Sequence, residues 1–110
     1  MARAVLRGFR ESPRRVRMVA NMIRGRSAAD ALAILRLQQR KAAKMLAKVL
    51  TSAIANAAEN EKADADKLVV KKVNIDAGAV QKRWMARSMG RANRIVSRTS
   101  HVTIEVDVVV

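Results

Sequence analysis

Between Ala77 and Ile104 the chain carries Lys82, Arg83, Arg87, Arg91, Arg94 and Arg98 and not one acidic residue. A planar guanidinium forks two hydrogen bonds to a phosphate and stacks on exposed bases, so arginine at this density suits the holding of a polyanion. A run of like charge also repels itself and is hard to keep folded until a partner supplies negative charge. Two further basic patches stand apart from it: Arg14, Arg15, Arg17, Arg24 and Arg26 in one, Arg40, Lys41, Lys44 and Lys48 in the other. A reader of duplex DNA concentrates its charge on one element, whereas patches spread along the chain suit an irregular, folded RNA. The formal net charge of +14, from 23 basic and 9 acidic residues, attracts phosphate from a distance. A general DNA-binding protein of the nucleoid type is the alternative that charge alone allows.

Catalytic chemistry has little to work with. Cys is absent, which removes thiolate nucleophiles, disulfides and zinc ribbons together. His101 is the only histidine, and a lone histidine among polar positions is far more often a surface or hydrogen-bonded side chain than a ligand. Asp64, Asp66 and Asp76 are the carboxylates a two-metal nuclease would use, but they lie in or beside a solvated acidic loop with no histidine to complete a shell. No catalytic residue, no metal site and no cofactor is therefore expected. Trp84, between Arg83 and Met85, suits either stacking on a base or packing against neighbouring side chains.

The elements that must position these residues are legible in outline. Ala2 to Phe9 reads as a short strand, with Ala4, Leu6 and Gly8 alternating with Arg3, Val5 and Arg7. Ser12-Pro13 is a helix start, and the apolar face Val16, Val19, Ala20 and Ile23 predicts a helix from about Pro13 to Arg24, with Gly25 as a left-handed cap. Met18 and Met22 fall off that face. Ser27 with Asp30 opens a second helix, burying Ala28, Ala31, Leu32 and Leu35. Ala42, Ala43, Leu46, Val49, Leu50, Ala53, Ile54 and Ala57 form one stripe of a third helix, opposite its basic patch. Glu59 to Asp66 reads as a connecting loop.

Leu68 to Asp76 and Ile95 to Val110 are strand candidates rich in Val and Ile. In the second, Val96, Val102, Ile104, Val106 and Val108 share a face, against Ser97, Thr99, His101, Thr103, Glu105 and Asp107. The acid-free segment between them is either a long loop or a wide-tipped hairpin. As a hairpin with arms of about ten residues it projects roughly 30 Å, and a two-stranded ribbon of that kind is only marginally stable alone. No apolar run reaches the roughly 18 residues of a spanning helix, and MARAVLRGF lacks the apolar segment of a signal peptide, so a soluble chain inside the cell, without a membrane partner, is expected.

Three strings carry a resemblance: RRVRMVANMIRGR (Arg14 to Arg26), TSAIANAAEN (Thr51 to Asn60) and MGRANRIVSRTSHVTIEV (Met89 to Val106). Together they resemble the bacterial form of the large-subunit ribosomal protein family numbered twenty-two, in order from about Ser12 to Val108. The resemblance implies an α+β fold in a single domain, 1–110. A small three-stranded antiparallel sheet packed against three helices makes the body (1–76 and 96–110), and a long protruding β-hairpin makes the arm (about 77–95).

The resemblance also implies a structural, non-enzymatic, cytoplasmic protein of the ribosome, not a homo-oligomer, partnered by large-subunit rRNA and neighbouring ribosomal proteins. The cations of all three patches, with Arg98, would meet rRNA. The arm's tip, with Lys82, Arg83, Trp84, Met85, Arg87, Met89, Gly90 and Arg91, would line the nascent-peptide exit tunnel. There it would lie near the site of macrolides and take part in stalling by particular nascent chains. Three positions depart from the family pattern: Ala86 stands where a Pro is common, Met89 where a Lys is frequent, and Trp84 where an aliphatic residue or Met is usual.

Overall fold

The computed structural model describes the backbone of residues 2–60, 62, 64–86 and 92–108, and the side-chain surroundings of these except at 65, 79–86 and 92–97. In chain order the elements are β1 (Ala2–Phe9), α1 (Pro13–Ala20), α2 (Ala28–Leu37), α3 (Lys41–Asn60), a 3-10 turn (Ala65–Lys67), β2 (Leu68–Ala86) and β3 (Ala92–Val108). The fold is α+β, as the resemblance implies.

Both helix starts read from sequence are present. Ser12 has the extended backbone of an N-cap with Pro13 following, and the Ser27 hydroxyl accepts from the Asp30 N–H at 3.3 Å. The first helix, however, stops at Ala20, four residues before the expected Arg24. The N–H groups of Met22 and Ile23 donate to the carbonyls of Val19 and Ala20, three residues back, which tightens the chain into a turn. Gly25, at φ +75°, then swings its N–H onto the Val70 carbonyl at 3.0 Å, and the Val70 N–H returns to the Arg26 carbonyl at 2.9 Å. A partner in β2 thus ends the helix early. At the other extreme α3 outruns its expected end, so that Glu59 and Asn60 are its last residues and not part of a loop.

The sheet order is β1-β3-β2, antiparallel throughout. Val70, Val73, Ile75, Val102, Ile104 and Val106 are buried on one face, against Val16, Val19 and Ile23 and the apolar stripe of α3. All of that stripe is buried except Ile54, which packs half-exposed against the core. The opposite face stays open, and His101, Thr103, Glu105 and Asp107 lie on it half-buried. In β1 the alternation holds through Leu6 and then breaks. The ladder shifts register between Leu6 and Phe9, so Phe9 is the next buried residue, and Gly8, at φ +71°, is exposed.

Of the two readings of the acid-free segment, the hairpin is the one observed. β2 continues ten residues past the expected Asp76 and β3 begins three before the expected Ile95, with pairs running from Val80↔Arg98 to Ala86↔Ala92. The residues that join them, including Arg87, Met89, Gly90 and Arg91, lie outside the described residues. The molecule measures 63 × 25 × 16 Å.

Candidate nucleic-acid interface

Where their side chains are described, the cations of the basic patches part into those that hold the fold and those with no partner among the described residues. β2 is an edge strand, so alternate carbonyls along its outer side have no ladder partner. Arg24 donates from Nε and Nη2 to the Val73 carbonyl at 3.2 and 2.7 Å, and Arg17 from Nε and Nη2 to the Ile75 carbonyl at 3.3 and 2.9 Å. Arg24 also bonds the Asn21 side-chain oxygen through Nη1, and Arg26 Nε donates to the Met22 carbonyl at 3.0 Å. Three of the five arginines in the first patch are thus engaged with the chain's own backbone. Each guanidinium keeps further N–H donors turned elsewhere.

Arg14, Arg15, Arg40, Lys44, Lys48 and Arg98 are exposed, and among the described residues none has a salt-bridge or side-chain hydrogen-bond partner. Lys41 sits 5.6 Å from the centroid of the Phe9 ring, a cation–π contact that leaves its ammonium exposed. Position sharpens the electrostatics. A helix N-terminus is the positive end of its dipole and ordinarily recruits Asp or Glu, yet the first turns of α1 and α3 hold no acidic residue. Arg14 and Arg15 stand in the first, Arg40 and Lys41 at the second. Cations placed there cost helix stability and add to the pull of the free N–H groups on an anion.

Some contributors were not singled out in the sequence. Arg3, Arg7 and Arg10 are exposed on or just after β1; alternation within β1 was the one signal for Arg3 and Arg7, and Arg10 had none. Asn56 of α3 donates from Nδ2 to the Arg3 carbonyl at 3.0 Å, which serves the sheet's other edge as Arg17 and Arg24 serve β2. His101 accepts at Nδ1 from the Gly8 N–H at 3.0 Å, the hydrogen-bonded role expected of it. The arm's Lys82, Arg83, Trp84, Met85 and Arg94 have backbone places in β2 and β3, while their side chains, like Arg87, Met89, Gly90 and Arg91 entirely, lie outside the described residues.

The carboxylates do not make a rival site. Asp64 Oδ1 accepts from the Asp66 N–H at 3.0 Å as a local turn, and Asp76 lies eight residues along β2 from Leu68, roughly 26 Å away. Asp107 accepts from the Val108 N–H at 2.9 Å, the main cause that holds its carboxyl below the ordinary aspartate value; Lys71 Nζ, at 3.6 Å, acts in the same direction. Among the described residues no helix is long and apolar enough to cross a membrane.

Comparison with known proteins finds one family along nearly the whole chain. The model of the family described as ribosomal protein L22p/L17e matches residues 4–107. The large ribosomal subunit protein uL22 of Herpetosiphon aurantiacus is 48% identical over 106 residues, covering 96% of this chain and 94% of the relative. That of Fusobacterium nucleatum subsp. nucleatum is 50% identical over 105 residues, covering 96% and 95%. With a match over residues 4–107 that takes in both strands of the arm and all of the body's buried core but Ala2, the chain belongs to the ribosomal protein L22p/L17e family.

Proposed function

We propose that this chain, by its family a structural constituent of the large ribosomal subunit and not an enzyme, binds large-subunit rRNA through its body and carries its hairpin tip to the wall of the nascent-peptide tunnel. The observation that supports rRNA binding most directly is the set of partnerless cations at the starts of α1 and α3. Arg14, Arg15, Arg40, Lys41, Lys44 and Lys48 form the body's phosphate contacts, and Arg98 continues them to the root of the arm. Arg17, Arg24 and Arg26 add the donors that β2 and the α1 turn leave over. Lys82, Arg83, Arg87, Arg91 and Arg94 neutralise rRNA along the arm, whose acid-free length suits a ribbon that orders fully only among phosphates. Trp84, Met85, Met89 and Gly90 complete the tip beside the emerging peptide.

The body and arm function as one domain, without a homo-oligomer, with rRNA, neighbouring ribosomal proteins and the nascent chain as partners. The test is competition between structured large-subunit rRNA and duplex DNA at fixed ionic strength. With six to ten phosphate contacts, affinity for rRNA falls about 10³- to 10⁵-fold between 50 and 200 mM salt. At any one salt rRNA is the tighter ligand. Preference for the duplex, or absence of tagged protein from the large-subunit fraction of a cell extract, refutes the reading.

A further inference from the structure

We infer that His101 is a positioning residue that fixes the direction in which the β2–β3 arm leaves the sheet, whatever the arm goes on to touch. The last row in which three strands pair is Phe9, Ser100 and Ala77; beyond it the ladder resumes at Val80↔Arg98 with two strands only. Both outer strands break register at this level, β1 between Leu6 and Phe9 and β2 between Ala77 and Val80. A bulge bends and twists its strand, so two of them flanking β3 draw a line across the sheet along which the arm could swing.

His101 lies across that line. On one side its Nδ1 accepts from the N–H of Gly8 at 3.0 Å, which leaves the neutral ring's proton on Nε2. On the other side, a Cβ added at Gly78 would fall 3.1 Å from its Cε1 and 3.3 Å from its Nε2, with Thr99 Oγ1 nearer still at 2.5 Å. Gly78 thus leaves room for the imidazole to pack on β2, while the backbone N–H of Gly8 bonds it to β1. On the core face Ser100, fully buried, donates from Oγ to the Glu11 carbonyl at 2.6 Å. β3 is therefore pinned on both faces immediately before it leaves the body, and the RTSH string supplies both pins from adjacent residues.

Spin-label distances test this directly, since the chain has no cysteine and an introduced pair carries the only labels. One pair joins Ala55→Cys on the exposed side of α3 to Gln81→Cys beyond the bulges. The control pair joins Ala55→Cys to Asn74→Cys, on the body side. With His101 in place the arm pair gives one narrow distance distribution. His101→Leu keeps bulk but removes the acceptor and makes that distribution about twofold wider or moves its centre, whereas His101→Asn, which offers an amide oxygen near the position of Nδ1, restores it. The control pair and the melting temperature of the body stay as in the parent. An arm pair that is broad with His101 present, or unmoved in His101→Leu, or an asparagine that fails to rescue, overturns the inference. Broadening of the control pair does so too, because His101 would then hold the body together and not aim the arm.

Discussion

Replacing Arg24 by alanine separates cations that hold the fold from exposed cations with no partner among the described residues. Two N–H groups of Arg24 meet the Val73 carbonyl at 3.2 and 2.7 Å across a partly buried edge. A hydrogen bond from a charged donor is worth about 1.5–3 kcal/mol, and the lower half applies here because the Val73 carbonyl can take water once the guanidinium is gone. Arg24→Ala is therefore expected to cost about 2 kcal/mol, which multiplies the unfolded fraction about 30-fold. For a chain of this size that lowers Tm by about 8 °C. Arg14→Ala, at an exposed position directly after Pro13 in the first turn, is expected within about 0.5 kcal/mol of the parent, because no described partner is lost. Urea unfolding followed by circular dichroism, with the m-value held equal across variants, measures both. Equal stabilities for the two variants, or a larger loss for Arg14→Ala, refute the division.

Gly78→Ala is expected to destabilise the arm's root, since the new Cβ would stand 2.5 Å from Thr99 Oγ1; Thr99→Ala in the same chain relieves it, and thermal melts of the single and double variants check the coupling. Leu50→Ala, at a fully buried position of α3, is expected to cost about 2–5 kcal/mol in chemical denaturation. The Asp107 carboxyl is held below its unfolded value by the Val108 N–H and Lys71, so its contribution is present above roughly pH 4 and fades as pH falls through its folded value. Asp107→Asn should accordingly flatten the acid limb of the stability profile below about pH 4. An unchanged slope there refutes the assignment. The arm's outermost paired amides, from Trp84 to Ala86, are expected to exchange fast in the free protein and slowly in the subunit, while the root around Gln81 stays paired in both, and hydrogen exchange distinguishes the two states.

What the sequence made legible was what neighbouring residues decide. Ser12-Pro13 and Ser27 with Asp30 marked helix starts because capping is settled within one turn. The stripe of α3 and the alternation of Val102, Ile104 and Val106 marked the core because periodicity reports burial. Partners distant in the chain set the rest. The end of α1 depends on the Val70 carbonyl, forty-five residues beyond Gly25. The reach of β2 and β3 depends on each having the other to pair with, which no one-strand pattern reveals. Arg17 and Arg24 were legible as charge but not as caps, since nothing local ties an arginine of α1 or of the turn after it to a carbonyl of β2. Met18, off the buried face of α1, is exposed, as its phase required, and Met22 is exposed in the turn that follows the helix.

The strand order carries a consequence for the chain's own synthesis. β3 is the centre of the sheet, yet among the described elements it is the last made, and β1, the first of them, pairs with it across 104 residues: Ala2 opposite Val106. Val16, Leu46 and Leu50 emerge long before Val102, Ile104 and Val106 can cover them. The three helices must wait with their apolar faces unfinished, and folding closes in one late step when the last strand inserts between the other two. A topology of such long-range pairing folds slowly and is exposed during that wait. Truncation within β3 should thus abolish the whole sheet and not merely trim it.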